Sequence, residues 1–247
     1  MRVPELPEVP PPPWQRLPER GTRRRRDPIS REAIVAAAIR LLDADGLDAL
    51  SMRGIADDLG TGAASLYWHV GSKDGLLDLI FDQLIGEVTV PDPDPARWRE
   101  QVKEVARSQR AVSLAHPYVV RISIGRIPMG PNALRYSERV LAILRAAGVP
   151  PRLAVQGSHL LISTINGFTL DETGDGDADE PPPGKEAAEQ ARGYLASLPP
   201  ARFPHLVELA GEYSYSDPDD RFELLIDIFT DGLARRAAAA GAHPPEA

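Results

Sequence analysis

Apolar residues recur at helical spacing through most of the chain, and no stretch alternates convincingly with the period of two that marks a half-buried strand. Ile34, Ala38, Leu41 and Leu42 share one face after Ser30, a good helix cap, and Gly46 follows where a left-handed terminating residue is wanted. Ser51 caps a short second segment carrying Ile55, Ala56 and Leu59, which Gly60 ends. Thr61 opens a third, about Gly62 to His69, and Ser72 caps a fourth whose apolar side holds Leu76, Leu77, Ile80 and Leu84. Pro91, Pro93 and Pro95, interleaved with Asp92 and Asp94, break the pattern. Beyond Trp98 the spacing predicts helices over roughly 96–114, 117–124, 131–147, 151–170, 185–197, 202–213 and 219–240. The expected fold is all-α.

Composition changes this picture at two places. Residues 1–28 combine many prolines with the run Arg23 to Arg26, a make-up that cannot offset the ordering entropy of a packed core, so they read as a disordered arm. The stretch from Asp171 to Gly184, rich in acids, glycine and proline, reads as an exposed flexible loop. The domains expected between and around them are a unit of short helices over 29–72, a connecting helix over 73–90 and a larger helical unit over 91–247.

The chain has 247 residues, a formal net charge of -8 and no cysteine. The missing cysteines exclude a disulfide framework, a thiolate metal site and a cysteine nucleophile. His69, His116, His159, His205 and His243 form no metal-spaced pair, and there is neither a glycine-rich phosphate loop nor a serine nucleophile elbow, so neither an enzyme nor a bound metal or other cofactor is expected. The proline-rich start is unlike a signal peptide and no run is long enough to span a bilayer, which predicts a cytoplasmic protein without a membrane partner. The acidic balance by itself argues against a nucleic-acid partner, but the charge is unevenly spread. From Arg20 to Lys73 cationic residues outnumber acidic ones, and the remainder is strongly acidic.

Between Ser51 and His69, two short helices joined at Gly60, with the small Ala56 four residues earlier, have helix-turn-helix spacing. In the second of them Leu66 anchors inward while Ser65, Tyr67, Trp68 and His69 have polar atoms to present to a major groove. The spacing alone fits a helical hairpin in an ordinary bundle equally well. The longer string decides more: Leu50-Ser51-Met52-Arg53, Ala56, Gly60, Leu66-Tyr67-Trp68-His69-Val70, Lys73 and Leu76-Leu77-Asp78 closely resemble the DNA-binding domain of the tetracycline-repressor family. Trp98, the Arg107-Ser108 region, His116, Gly125, Leu141 to Leu144, Gly148 and Gly167-Phe168-Thr169-Leu170 resemble that family's regulatory domain.

The resemblance implies a ligand-responsive repressor that binds palindromic operator DNA as a homodimer. Tyr67 and Lys73 match positions that hold operator phosphates, and Arg53 matches one that reaches bases, where guanine suits its fork. Thr61, Ser65, Trp68 and His69 lie where the family contacts backbone or base edges, and the small Ala63 and Ala64 imply a different operator, read partly through thymine methyl groups. For the arm, extra phosphate or minor-groove contacts and a solvated tail both stay open.

The positions that hold tetracycline and magnesium in the family's founding member fall by resemblance at Thr89, Val105, Gln109, Ser123, Arg126 and Val140, none with the matching residue type. An unidentified small-molecule effector other than tetracycline-magnesium is therefore expected. Candidate pocket residues are Gln109, His116, Ser123, Arg126, Val140, His159 and Asn166. Gln156, His159, Ser163 and Asn166 form a polar stripe on the 151–170 helix that fits a cavity wall, a dimer seam or a solvated face. The expected dimer interface comprises Leu160 with the final stripe Phe222, Leu225, Ile226, Phe229 and Leu233, though a core role for that stripe also fits. Two alternatives remain: a helical binding protein that has lost specific DNA binding, and an activator of the same family.

Overall fold

A computed structural model describes residues 29–173, 185–212 and 217–241. The arm over 1–28 and most of the acidic loop, 174–184, lie outside the described residues. Among the described residues the regular structure is helical, without strands. The helices are α1 Arg31–Ala49, α2 Met52–Asp58, α3 Ala63–Val70, α4 Lys73–Ile85, α5 Trp98–Ala115 and α6 Tyr118–Ser123. They continue with α7 Pro131–Ala146, α8 Pro151–Thr173, α9 Lys185–Ala196, α10 Pro204–Glu208 and α11 Pro218–Gly241, with a 3-10 turn at Ala210–Glu212.

The capping serines act as their positions suggest. Ser30, Ser51 and Ser72 each accept a hydrogen bond from the backbone N–H three residues on, satisfying one of the free donors at the start of α1, α2 and α4. Gly46 does not end α1 cleanly. It takes φ 78°, and a last turn re-forms after it as far as Ala49. Gly60, at φ 63°, makes the turn between α2 and α3, where Thr61 N–H donates back to the Ala56 carbonyl at 2.9 Å. The single helix expected over 202–213 is instead α10 followed by the 3-10 turn.

Two hydrophobic cores organise the chain. One gathers the inner faces of α1 to α4 around Ile34, Ile55, Leu66 and Ile80, and it also takes in Tyr118, Val119, Val120 and Ile122. Thus α6 packs into the core of the N-terminal helices, although it lies well beyond them in sequence. The second core joins α5, α7, α8 and α11 around Val105, Ile143, Leu161, Ile165, Phe222 and Ile226. Arg110 and Arg107 staple its rim: Arg110 pairs with Glu172 of α8 and Asp219 of α11 above the Phe222 ring, and Arg107 forks onto Glu223.

Candidate nucleic-acid interface and ligand cavity

The α2-turn-α3 unit is held from below. Leu66 and Val70 point into the first core and the small Ala56 lies buried, which leaves the opposite side of α3 free. Trp68 is 61% exposed, Tyr67 and Ala64 are exposed, and Thr61, Ala63, Ser65 and His69 are partly so. Arg53 at the start of α2 has its side chain 90% exposed, with only a loose 4.0 Å approach to Asp57. A pair so open to water contributes little, so the guanidinium is available to a partner.

Two residues are placed differently from a simple contact surface. Lys73 Nζ donates to the Leu50 carbonyl at 2.7 Å, tying the start of α4 to the end of α1. An ammonium carries three donors, so this bond leaves others free. His69 has its Nε2 buried without a hydrogen-bond partner among the described residues, while its ring meets Trp68 edge-on and its carbonyl accepts from Arg31 Nε at 3.2 Å. Arg31 therefore ties the start of α1 to the end of α3, a contact that sequence reasoning missed.

Beneath α4 lies a cavity of about 50 Å³. Phe81 and Ile85 of α4, Val112 of α5, Val119 and Val120 of α6 and Ile162 of α8 supply apolar wall. Its polar groups form a directed chain. Tyr136 Oη donates to Gln109 Oε1 at 2.6 Å, and Gln109 Nε2 donates to Asn166 Oδ1 at 3.2 Å. Asn166 Nδ2 then donates to Ser123 Oγ at 3.3 Å, and Ser123 Oγ to the Val120 carbonyl at 2.7 Å. One relay thus links α7, α5, α8 and α6. Burial raises the pKa of the Tyr136 phenol, keeping it a neutral donor.

Of the pocket residues expected from sequence, Gln109, Ser123 and Asn166 line this cavity. The other four do not. Val140 is buried in the second core one turn beyond Tyr136, and His159 is exposed on α8 with Gln156 and Ser163, so only Asn166 of the polar stripe reaches the cavity. His116 and Tyr118 both bond Asp43 of α1, at 2.8 Å each. Arg126, in the α6–α7 loop, is consumed by α4: its guanidinium meets Asp78 at 2.6 Å and Asp74 at 3.0 Å.

Asp82 continues that line on α4. Buried, it accepts from the N–H of Asn132 at 3.1 Å and of Ala133 at 2.9 Å, the free donors at the N-terminus of α7. A Cβ on Gly130 would lie 2.1 Å from the Asp82 carboxylate, so glycine is needed for this approach. Ala133 and Tyr136 on the same end of α7 line the cavity.

Comparison with known proteins completes the picture. Residues 34–80 match the family profile described as bacterial regulatory proteins, tetR family, and residues 90–237 that of the tetracyclin repressor-like C-terminal domain. The chain belongs to the TetR family of regulatory proteins. An HTH-type transcriptional regulator of Saccharopolyspora erythraea is 45% identical over 120 residues, and the match spans 49% of this chain but only 51% of that relative. The class A tetracycline repressor of Escherichia coli is 31% identical over 82% of this chain and 89% of its own length. Among solved structures, the Streptomyces coelicolor TetR-family protein ActR in complex with actinorhodin superposes with a TM-score of 0.77 at 46% identity, covering 85% of this chain and 99% of that one. The all-α architecture, with an N-terminal helix-turn-helix and a helical C-terminal part, is the one these relatives share, and the family consists of transcriptional regulators rather than enzymes.

The expected dimer stripe is placed otherwise. Phe222, Ile226 and Leu233 are buried in the chain's own second core, with Leu225 and Phe229 partly so. Only Leu160 of that set stands largely free, at 58% exposure. The outward face of α11 instead presents Leu224 and Ile228, the latter 65% exposed, one turn apart.

Proposed function

We propose that the protein is a homodimeric repressor that occupies a palindromic operator when its cavity is empty and leaves it when a small molecule enters. The observation that carries this reading is the cavity's position. It is bounded on one side by α4, which begins directly after the recognition helix α3, and on another by α6, which packs into the DNA-facing core. A change of volume there has a short mechanical path to the DNA.

The path has two fastenings. Asp74, Asp78 and Asp82 recur every four residues along α4 and are held by Arg126 and by the N-terminus of α7. Asp43 of α1 is held by His116 and Tyr118. At about 50 Å³ the cavity is far below the roughly 300–1,000 Å³ of occupied ligand pockets, so an effector must push its walls apart. Outward movement of α7 and α6 then drags α4 and α1 through these bonds and alters the spacing of the two recognition helices. To empty an operator, the effector must favour the displaced form by on the order of a few kcal/mol.

Replacing Asp82 by alanine removes the acceptor of one buried and one part-buried N–H group and is expected to cost about 1–3 kcal/mol of stability in urea denaturation. Operator affinity is expected to change as well, although Asp82 is on the far part of α4 from α3. An unchanged affinity would argue that α4 is not coupled through this bond.

On DNA, Lys73→Ala is expected to weaken binding on all sequences and to flatten the salt dependence by about one unit of slope. Arg53→Ala is expected instead to relax preference at one base position, costing about 1–3 kcal/mol on the preferred site alone. Titrations on specific and random duplexes at several salt concentrations separate the two. Equal losses on both duplexes for both variants would remove the division of roles. For the dimer, Leu160 on α8 and Leu224 and Ile228 on α11 offer exposed apolar contact, and Gly167 and Gly232, at helical spacing from them on the same two helices, have open space where a side chain would stand, which suits close helix approach.

A further inference from the structure

We propose that the effector's buried part is uncharged and largely apolar, and bound without a metal ion, with a hydroxyl or carbonyl edge that replaces the middle of the Gln109–Asn166–Ser123 relay. This inference rests on the reading of the cavity as the effector site.

Charge is excluded first. Among the described residues lining the cavity there is no Asp, Glu, His, Lys or Arg, and no group of acids and imidazoles that could hold a metal ion occurs among the described residues at all. Arg126, Arg110 and His116 are engaged elsewhere, with Asp74 and Asp78, with Glu172 and Asp219, and with Asp43. An ionised ligand group pushed inside would be desolvated without a counter-charge, which costs far more than a hydrogen bond returns.

Shape and polarity follow. The apolar wall is built mainly from stiff β-branched side chains with Phe81 and Pro128, and such side chains define a slot better than flexible ones. Within the relay the two outer bonds are short, 2.6 Å from Tyr136 to Gln109 and 2.7 Å from Ser123 to Val120. The inner two, amide N–H···O bonds through Asn166, stand at 3.2 and 3.3 Å, the long end for that type of bond. A ligand hydroxyl donating to Asn166 Oδ1, or a carbonyl accepting from Gln109 Nε2 or Asn166 Nδ2, exchanges a weak bond for a better one, so the loose centre is where a polar edge is accepted at least cost.

The test uses the full chain, isothermal titration calorimetry and three probes of one ring size: naphthalene, 2-naphthol and 2-naphthoate, each with and without magnesium at neutral pH. 2-Naphthol is expected to bind about 2- to 10-fold tighter than naphthalene, and 2-naphthoate at least about 30-fold weaker than 2-naphthol, with no effect of magnesium. In Asn166→Leu the advantage of 2-naphthol over naphthalene is expected to vanish while naphthalene binding persists. 2-Naphthoate binding as tightly as 2-naphthol, a requirement for magnesium, or no binding by any probe overturns the proposal. Operator occupancy is followed in parallel on selected DNA. Binding of 2-naphthol that leaves the operator occupied upholds the ligand chemistry and counts against ligand-driven release, so the two failures are distinguishable.

Discussion

Changing Leu160 and Ile228 together to glutamate is expected to yield a folded monomer with operator affinity reduced by about 100-fold or more. Both side chains are largely exposed, so neither substitution disturbs a core, yet each places a charge on the face proposed to meet a second copy. Charge at the centre of an apolar interface is desolvated without a partner and opposes association. A palindromic operator is held tightly because the second half-site is bound intramolecularly, an advantage of about 10²- to 10⁴-fold that a monomer forfeits. Light scattering gives the mass, thermal denaturation the fold, and titration the affinity. A variant that keeps a dimer's mass places the interface elsewhere.

Phe222→Ala is expected to do the opposite, destabilising each chain by about 3–5 kcal/mol while leaving the association surface in place. Phe222 is fully buried between Phe168 and the Arg110 guanidinium, which lie 5.2 and 4.8 Å from its ring centre. Its removal opens a void in the second core and withdraws the platform beneath the Arg110 ion pairs. Urea denaturation at fixed protein concentration measures the loss. A loss below about 1 kcal/mol, with dissociation as the main effect, would return Phe222 to the interface.

That contrast marks where the sequence stops being legible. Periodicity identified α11 as a helix with an apolar stripe, but Phe222, Ile226 and Leu233 share the helix with Leu224 and Ile228 on another face. Spacing reports that a face is apolar. It does not report whether the chain's own helices or a partner covers it. The N-terminal helices were far more readable because their ends carry local chemistry: Ser30, Ser51 and Ser72 as caps, and Gly60 at a positive φ. The same locality explains the shortfall at Gly46, where a turn re-forms after the expected stop.

The cavity was half legible. The sequence offers Gln109, Ser123 and Asn166, which line the cavity, but neither Tyr136 beside them nor Asp82 against the start of α7, because each acts through a residue distant in sequence. A signal for the α4 fastening is present in the four-residue spacing of Asp74, Asp78 and Asp82 on a helix whose other residues are mostly apolar. Such a row reads as a solvated face until Arg126 and the start of α7 are seen against it. Arg126, offered by the sequence as a pocket residue, pairs with Asp74 and Asp78 instead of lining this cavity, since a loop arginine reveals its partners only in three dimensions.

The most direct test of the central claim is selection of DNA from a random pool by the purified protein, with the stoichiometry of the selected complex measured. The account predicts a palindrome whose half-sites lie about one helical turn apart, roughly 10–10.5 base pairs or a multiple, bound by two chains. Recovery of no preferred sequence, with only weak salt-sensitive binding, would contradict it.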